Sequence, residues 1–405
     1  MTETARQAVM PEAELTEEMV AQMRARAGTD LRIDHSIFNE EATRLAVVKF
    51  AGGIGDINPL WTDPDHARRS PWGGPVAPPS FVMGCFSGIQ FGWPGLGSFH
   101  SASRLRFHRP VYWGDAITST CRYEGFSGPT ASRFAGRMVT DHFANRYVNQ
   151  RDENVAEIDW DVVNFERATA RAQGDRQTQS AQSASEPPIP HPWGDDELDK
   201  LRAQVLSEQP RGADPRWFED VAVGDELDPL TKGPIGLTDE VAFVAGGGAP
   251  IPRLSAHAVA LHAYDKHPAW CFRDPETGAL EPIYSVHYNR HAANAMGVTY
   301  QYDVGFQRQC WQVQHLTHWC SDAGWVKTAE AQYRRFVYLS DVVVLAGVVT
   351  ERFVDDDGEA CVRIETRAEN QRGENVMPGS AVVALPSRAA EGSPAARRAR
   401  QSGVS

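Results

Sequence analysis

Two long runs of mixed apolar and polar residues predict strands in two separate parts of the chain. The first run covers residues 102–126, and the second covers 329–354 and 361–371, with DDDGE between them as a hairpin turn. A segment rich in small and apolar residues precedes each run, at 78–91 and 305–320, and predicts a buried helix. Each part therefore predicts an α+β unit in which an antiparallel sheet wraps one helix.

The two parts resemble each other at a constant offset of 226 residues. At this offset VYWGDAIT (111–118) falls on VYLSDVVV (337–344), and PLWTD (59–63) falls on SVHYN (285–289). The two matches lie some fifty residues apart and need no change of offset. The sequence thus predicts an internal duplication.

The segments between and around the two parts set the expected domain boundaries. Leu15, Met19 and Met23 recur at a spacing of four and predict a helix over residues 10–28. The stretch 169–190 is rich in Ser, Gln and Pro and predicts an exposed linker, followed by a short charged helix from Asp195. The expected division is an N-terminal helical segment, a first domain, a linker with a short helix, a second domain and a disordered tail, at residues 1–34, 35–170, 171–212, 213–388 and 389–405.

Composition narrows the class of protein. The 405 residues carry a net charge of −13, which argues against a nucleic-acid partner because phosphate binding needs clustered Lys and Arg. The first twenty residues lack the pattern of a presequence, and no apolar run is long enough to span a membrane. Six cysteines without CxxC spacing indicate reduced thiols rather than a zinc site. We therefore expect a cytoplasmic protein without a membrane partner.

The stretch FAGGIGDINPLWTDPDHA (50–67) carries the most specific motif of the chain. It resembles the signature of the MaoC-like (R)-specific enoyl-CoA hydratases and dehydratases, in which a G-D-x-N-P-L-H-x-D pattern opens the active-site loop. RFHRPVYWGDAI (106–117), FEDVAVGDEL (218–227) and NQRGENVMPGSAVVALP (370–386) are similar to further segments of that family. The resemblance implies a double hot-dog fold with a pseudo-twofold axis, and it implies reversible water addition to an enoyl thioester.

The resemblance also implies which residues do the chemistry. In that family an Asp and the His five residues later hold and activate water. Asp56 and Asn58 match the pattern, but the His position is Trp61; in the second part His287 fills the His position and Pro282 the Asp position. Neither part holds a complete pair.

We expect the second part to be the active one, with His287 as general acid or base. Asp56 would then be the remnant of a catalytic site in the first part. Because the two residues occupy equivalent places about the pseudo-twofold, they should lie in separate sites. The predicted substrate-binding residues are Asn58, Trp61, Tyr288, Asn289, His291 and Gly305, the last as a backbone donor at the start of the central helix.

An insertion of about 31 residues, 250–281, separates the second part from its counterpart. It is a candidate lid, and it supplies Asp265 and Glu281 as candidate acids for His287. Its histidines, His257, His262 and His267, have a spacing that fits no helical pair of metal ligands, so no metal is expected.

Other interpretations remain open for single residues and for the whole chain. Asp56 is also suited to capping the Asn58-Pro59 turn, and Asp63 to capping the helix that follows it. The six tryptophans expected near the sites, which suggest a bulky or aromatic acyl group or simply core packing, are Trp61, Trp72, Trp93, Trp270, Trp311 and Trp319.

The leading hypothesis is a cofactor-free hydratase or dehydratase acting on a thioester of coenzyme A or of a carrier protein. The chain would assemble as a homodimer or with another hot-dog protein. The alternatives are a non-catalytic subunit that binds acyl thioesters, and an enzyme repurposed for a cyclisation or lyase step. A carboxylate within hydrogen-bond reach of His287 would favour catalysis, and its absence would favour binding.

Overall fold

A computed structural model describes residues 12–32, 39–85, 92–132, 136–167, 188–247, 254–268 and 271–403. Its α-helices are α1 (Glu17–Arg26), α2 (Arg44–Gly53), α3 (Pro59–Thr62), α4 (Pro64–Arg69), α5 (Asp195–Ser207), α6 (Leu237–Ala245), α7 (His257–Lys266), α8 (Arg290–Ala295), α9 (Gly305–Cys320) and α10 (Pro394–Gln401). Its strands are β1 (Thr29–Asp30), β2 (Gly97–Phe107), β3 (Ile117–Ser132), β4 (Gly136–Asn149), β5 (Asn154–Phe165), β6 (Leu230–Lys232), β7 (Cys271–Arg273), β8 (Leu280–Pro282), β9 (Trp325–Gln332), β10 (Val343–Val354), β11 (Ala360–Asn370) and β12 (Gly379–Ala384).

Ten of these strands form one antiparallel sheet in the order β1-β3-β4-β5-β2-β9-β12-β11-β10-β6. The first five strands come from the N-terminal half and the last five from the C-terminal half. The halves join where β2 pairs with β9, and at the centre of this pairing Arg104 lies opposite Glu330, 226 positions later. A twofold axis at this point relates each residue to the one at the offset found in the sequence, as a duplicated unit requires.

The same turn recurs in both halves at the start of the strands β3 and β10. Asp115 accepts a hydrogen bond from Tyr112 N, and Asp341 accepts one from Tyr338 N, at 2.8 and 2.9 Å. A glutamine Nε2, of Gln150 or Gln371, donates to the other oxygen of each carboxylate. Both aspartates are therefore turn residues, in equivalent places.

The central helix α9 is buried along its length although many of its side chains are polar. Burial of such groups is costly unless each finds a partner. Arg308 forms a buried ion pair with Asp303, Gln312 Nε2 donates to Glu330 O, and His315 Nε2 lies 2.7 Å from Asp228 O. The helix is thus fixed by specific polar contacts as well as by packing.

The halves also pack through α2 and α6, where backbones approach closely. A Cβ atom on Gly53 would lie 2.7 Å from Ala242 O, and one on Gly246 would lie 2.7 Å from Lys49 O. Only glycine fits at these two crossings.

Most predicted elements are present, but the first helix and the segment 78–91 differ from their predictions, and most of the linker is not described. The first helix begins at Glu17 because the Thr16 side chain caps it by accepting from Met19 N. In the segment 78–91, Pro79–Cys85 is a 3-10 helix, and the rest lies outside the described residues. The linker at 169–190 also lies outside them, apart from residues 188–190.

The prediction of a disordered tail from residue 389 is wrong for residues 394–401, which form α10. Ser393 caps this helix, with Pro394 in its first turn. Arg398 pairs with Glu359 at 2.8 Å and lies over the Trp325 ring, so the tail is fixed to the C-terminal half by a buried ion pair.

Candidate active site

The motif loop of the N-terminal half connects α2 to α3 and α4. Its polar side chains accept hydrogen bonds from backbone N–H groups of the loop and of the helices that follow. Asp56 Oδ1 accepts from Asn58 N at 2.9 Å, and Asn58 Oδ1 accepts from Leu60 N as the cap of α3. Asp63 accepts from Asp65 N and His66 N as the cap of α4. Both capping interpretations are thereby confirmed, but Asp56 makes further contacts that a cap does not need.

The carboxylate of Asp56 also contacts an imidazole from the other half of the chain. His318 Nε2, on α9, lies 2.8 Å from Asp56 Oδ1, and Trp61 Nε1 donates to Oδ2 at 2.8 Å. The side chains of His318 and Asp56 are 9% and 1% exposed. Trp61, at the position of the expected histidine, thus donates to Asp56, while the histidine itself comes from 262 residues away.

Two opposing effects act on the ionisation of Asp56. Burial alone would raise its pKa, but the hydrogen bond and charge of His318, with the donors of Asn58 and Trp61, hold the pKa below its ordinary value. Asp56 is therefore a carboxylate, and it orients His318 through Nε2. Among the described residues, the other ring nitrogen of His318 takes part in no hydrogen bond.

A pocket is lined in part by Asn58 and Trp61, which both donate to Asp56, although Asp56 and His318 themselves do not line it. Its walls come from the motif loop and the start of the 3-10 helix of the N-terminal half, and from the end of α9 and the start of β9 in the C-terminal half. The lining residues are Asn58, Leu60, Trp61, Trp72, Val76, Ala77, Pro79, Pro110, Thr317, Cys320, Ser321, Gly324, Trp325 and Val326.

The lining is mainly apolar, with few polar side chains. Of the six tryptophans expected near a site, Trp61 and Trp72 line this pocket, whereas Trp93 donates to buried Asp141. Trp311 and Trp319 are core residues, and Trp270 lies outside the described residues.

A second Asp–His contact crosses between the halves near the end of α9. His66 Nε2 lies 2.7 Å from Asp322 Oδ2, here with the histidine from the N-terminal half. Burial raises the pKa of Asp322, against the hydrogen bond from His66. The two contacts fix both sides of the α9 terminus to the motif loop and α4.

The C-terminal motif loop has a different arrangement. His287 Nδ1 donates to Tyr302 O at 2.8 Å, and its ring packs against the rings of Tyr284 and Tyr302. Burial lowers the pKa of His287 to about 4, which leaves the imidazole neutral. Among the described residues no carboxylate hydrogen-bonds to His287, neither Asp265 nor Glu281, and the nearby Asp303 carboxylate is paired with Arg308.

The other residues predicted around His287 are spread over several roles. Tyr288 follows the 3-10 helix Ile283–His287, and Asn289 caps α8 while donating to Asp274. His291 lies at the surface beside Glu276, at 3.3 Å. Gly305 begins α9, where a Cβ atom would lie 3.3 Å from His100 Nδ1. Asp56 and His287 share no contact, as expected for separate sites.

His318 is a site residue that the sequence did not predict. Its only signal is the density of polar residues in GFQRQCWQVQHLTHWC, which is high for a helix predicted to be buried. A buried Gln or His needs a partner, so this density indicates contacts from other parts of the chain.

Among the described residues, Asp355, Asp357 and Glu359 lie close enough together to hold a cation, but the Lys327 ammonium already bonds all three. None of the described helices combines the length and the apolar character that crossing a membrane requires.

Sequence comparisons match part of the chain to known families. Residues 33–158 match the model of the FAS1-like dehydratase domain region. A UPF0336 protein of Thermobifida fusca is 34% identical over 90 residues, and one of Streptomyces avermitilis is 31% identical over 109 residues. These matches cover 20% and 25% of this chain, and 58% and 69% of the two relatives.

Solved structures share the fold across both halves. A MaoC-like dehydratase covers 90% of this chain and 100% of its own length, with a TM-score of 0.57 and 14% identity. A putative MaoC domain protein dehydratase from Chloroflexus aurantiacus has a TM-score of 0.54 at 14% identity, covering 90% of this chain and 96% of its own. A conserved hypothetical protein from Mycobacterium tuberculosis, described as a double hotdog fold, has a TM-score of 0.50 at 12% identity, covering 88% and 96%.

The fold is that of the MaoC-like double hot-dog dehydratases, which confirms the expected α+β class and the expected resemblance. The chain also belongs to the UPF0336 family, with which it shares 31% identity over 109 residues.

Proposed function

We propose that this protein adds water reversibly to the double bond of an enoyl thioester. The reaction takes place at the motif loop of the N-terminal half, beside Asp56 and the His318 that α9 contributes from the C-terminal half. The observation that carries the proposal is the 2.8 Å contact between these two side chains. Asn58 and Trp61, which donate to Asp56, and Thr317, the residue before His318, line the pocket. The dehydratase-domain match to residues 33–158 supports the reaction class.

The Asp56–His318 pair suits proton transfer in both directions. Asp56 fixes the ring of His318 and stabilises the imidazolium, in the way that a carboxylate assists a general base. In dehydration, His318 accepts the proton from the α carbon, the β C–O bond breaks, and the imidazolium of His318 passes that proton to the departing hydroxyl, which leaves as water. In hydration the steps reverse, so that water adds to the β carbon and the α carbon gains a proton.

The pocket suggests how the substrate lies. Its apolar walls, with Trp61, Trp72 and Trp325, suit the acyl group, since aromatic side chains offer large apolar contact area. The thioester is carried by coenzyme A or by a carrier protein; cytoplasmic location and assembly as a homodimer or with another hot-dog protein remain predictions.

The sequence favoured the motif loop of the C-terminal half as the place of the chemistry, whereas the proposed site lies at the motif loop of the N-terminal half. His287 remains a predicted catalytic residue, but among the described residues no carboxylate hydrogen-bonds to it.

The test is hydration of a panel of enoyl thioesters of coenzyme A, from short-chain to aromatic, by wild type, His318→Gln and His287→Gln. General acid–base catalysis contributes about 10²–10⁴-fold, so kcat should fall by this factor in His318→Gln and change little in His287→Gln. A loss confined to His287→Gln would return the chemistry to the C-terminal half. Thioester binding without turnover in wild type would instead favour the binding subunit.

A further inference from the structure

A lysine of the C-terminal half lies directly behind the motif loop of the N-terminal half. Lys232, the last residue of β6, donates from Nζ to Ile54 O at 2.9 Å and to Gly55 O at 3.2 Å. Its third bond, at 2.7 Å, goes to Gln314 Oε1 on α9. All three N–H groups of the ammonium are therefore in use.

Gln314 completes this arrangement from the helix that carries His318. Its Nε2 donates to Gly55 O at 3.0 Å, so Gly55 O accepts from both side chains. Gly55 has a φ of +66°, and a Cβ atom there would lie 3.4 Å from Lys232 Nζ. The backbone directly before Asp56 is thus held in a conformation that favours glycine, by two side chains from the other half.

The charge of Lys232 also bears on Asp56. Burial lowers the pKa of Lys232 to about 8, whereas the nearby carboxylates of Asp56, Glu208 and Asp239 raise it. Glu208 accepts from Thr231 N, and Asp239 accepts from Gly236 N at the start of α6. Of these three carboxylates, Asp56 is the one that contacts an imidazole and belongs to the candidate site. The Lys232 ammonium therefore balances the buried negative charge of Asp56.

We propose that Lys232, together with Gln314, is a positioning residue that holds the Ile54–Gly55 backbone and thereby sets Asp56 against His318. This inference rests on the proposed function for its catalytic consequence, but its structural part stands on the contacts alone. Lys232 has all of its donors engaged and lies behind the loop, so it acts through Asp56 rather than on the substrate.

The inference has a consequence for the pH profile. As the pH rises through about 8, Lys232 loses its proton, and with it one N–H donor and the charge that balances Asp56. Activity of the wild type should therefore fall on the alkaline side with a midpoint near 8. An arginine at this position keeps its proton to about pH 12 and should abolish that fall.

The experiment compares Lys232→Met, Lys232→Arg and Gln314→Ala with wild type, and uses Lys200→Met as a control because Lys200 is an exposed residue of α5. The first readout needs no substrate: it is solvent exchange of the Trp61 indole N–H, which donates to Asp56, followed by NMR with labelled tryptophan. The second readout is kcat and KM across pH 6 to 10 on whichever enoyl thioester is turned over.

We expect faster exchange of the Trp61 indole N–H in Lys232→Met and in Gln314→Ala. In Lys232→Met, kcat should be about 10²-fold lower and KM little changed. The activity of this variant should show no fall near pH 8. Lys232→Arg should restore most of kcat and protection. Unchanged Trp61 exchange in both Lys232→Met and Gln314→Ala would overturn the inference. If the wild type turned over no enoyl thioester but Trp61 exchange were still faster in these variants, the positioning role would be supported and the proposed function would fail.

Discussion

The two motif loops descend from one repeated unit, yet they lie in different electrostatic surroundings. In the N-terminal loop the carboxylate of Asp56 accepts from three donors, and one of these, His318, comes from the other half. In the C-terminal loop His287 is neutral and donates to a backbone carbonyl of its own half. The first loop is thus built around a buried charge, and the second around a buried neutral ring.

This difference shows how a broken motif can still support a complete pair. The position where the family pattern has histidine is Trp61 in one loop and His287 in the other, and offset 226 relates them. The structure provides an imidazole for Asp56 from α9, whereas among the described residues no carboxylate hydrogen-bonds to His287. The loop that matches the family at Asp is therefore the stronger catalytic candidate.

The largest expected contrast between the loops is in stability. Asp56→Asn and His318→Gln should each lower the free energy of unfolding by about 3 kcal/mol or more, because each change leaves a buried partner uncompensated. His287→Gln removes a neutral hydrogen bond and should cost about 1 kcal/mol. Denaturant unfolding of the three variants measures both effects.

The double variant Asp56→Asn/His318→Gln is the control for direct coupling. It should cost clearly less than the two single changes together, because the second change no longer breaks a contact. Fully additive costs would show that the two side chains do not interact.

The acid side of the stability profile separates the loops further. Unfolded His287 takes up a proton near pH 6.5 but folded His287 only near pH 4, so the unfolded state binds more protons between these values. This residue therefore lowers stability, by up to about 1.4 kcal/mol per pH unit, as the pH falls from 6.5 to 4. The folded pKa of Asp56 lies below its ordinary value of 3.8, so its contribution is present above pH 3.8 and is lost only below it.

Denaturant unfolding at a series of pH values checks this separation. His287→Gln should flatten the profile between pH 6.5 and 4, with the exposed His257→Gln as the matched control, and Asp56→Asn should change the slope only below about pH 4. If Asp56→Asn flattened the higher window instead, the assignment of the two ionisations would be reversed.

The smallest expected effect is one that the loops share. Asp63 and Asn289 are 226 positions apart, and each caps the short helix that follows it. Asp63→Ala and Asn289→Ala should each cost about 1 kcal/mol, measured by thermal or denaturant unfolding. A much larger cost for one of them would show that the loops have diverged in structure as well as in charge.

The fold could be predicted from the sequence because its signals are local or repeated. The constant offset between residues 59–63 and 285–289 survives in the pairing of Arg104 with Glu330. The conformations of Asp63, Asp115 and Asp341 follow from short-range turn and cap chemistry, which the residue types indicate directly. The helix in the tail was missed because its stability comes from the distant pairing of Arg398 with Glu359.

Of the candidate pair, Asp56 could be predicted from the sequence but His318 could not, because the contact between them is not local. Asp56 lies in a recognisable motif, but its partner His318 lies 262 residues away, on a helix without a motif of its own. A motif compared within one half cannot reveal a partner from the other half. Burial of α9 between the halves is what brings the two together, and burial follows from the complete fold.

The junction between β2 and β9 has a consequence for how this protein was able to change. When two identical chains form such a pair, every substitution appears twice, once on each side of the axis, so a change that helps one site is imposed on the other. In a single chain holding both halves, each position mutates alone. Position 61 could become tryptophan while position 287 kept histidine, and α9 could gain His318 without a matching residue in the N-terminal half. Joining the repeats in one chain thus allowed two inherited sites to take up separate tasks.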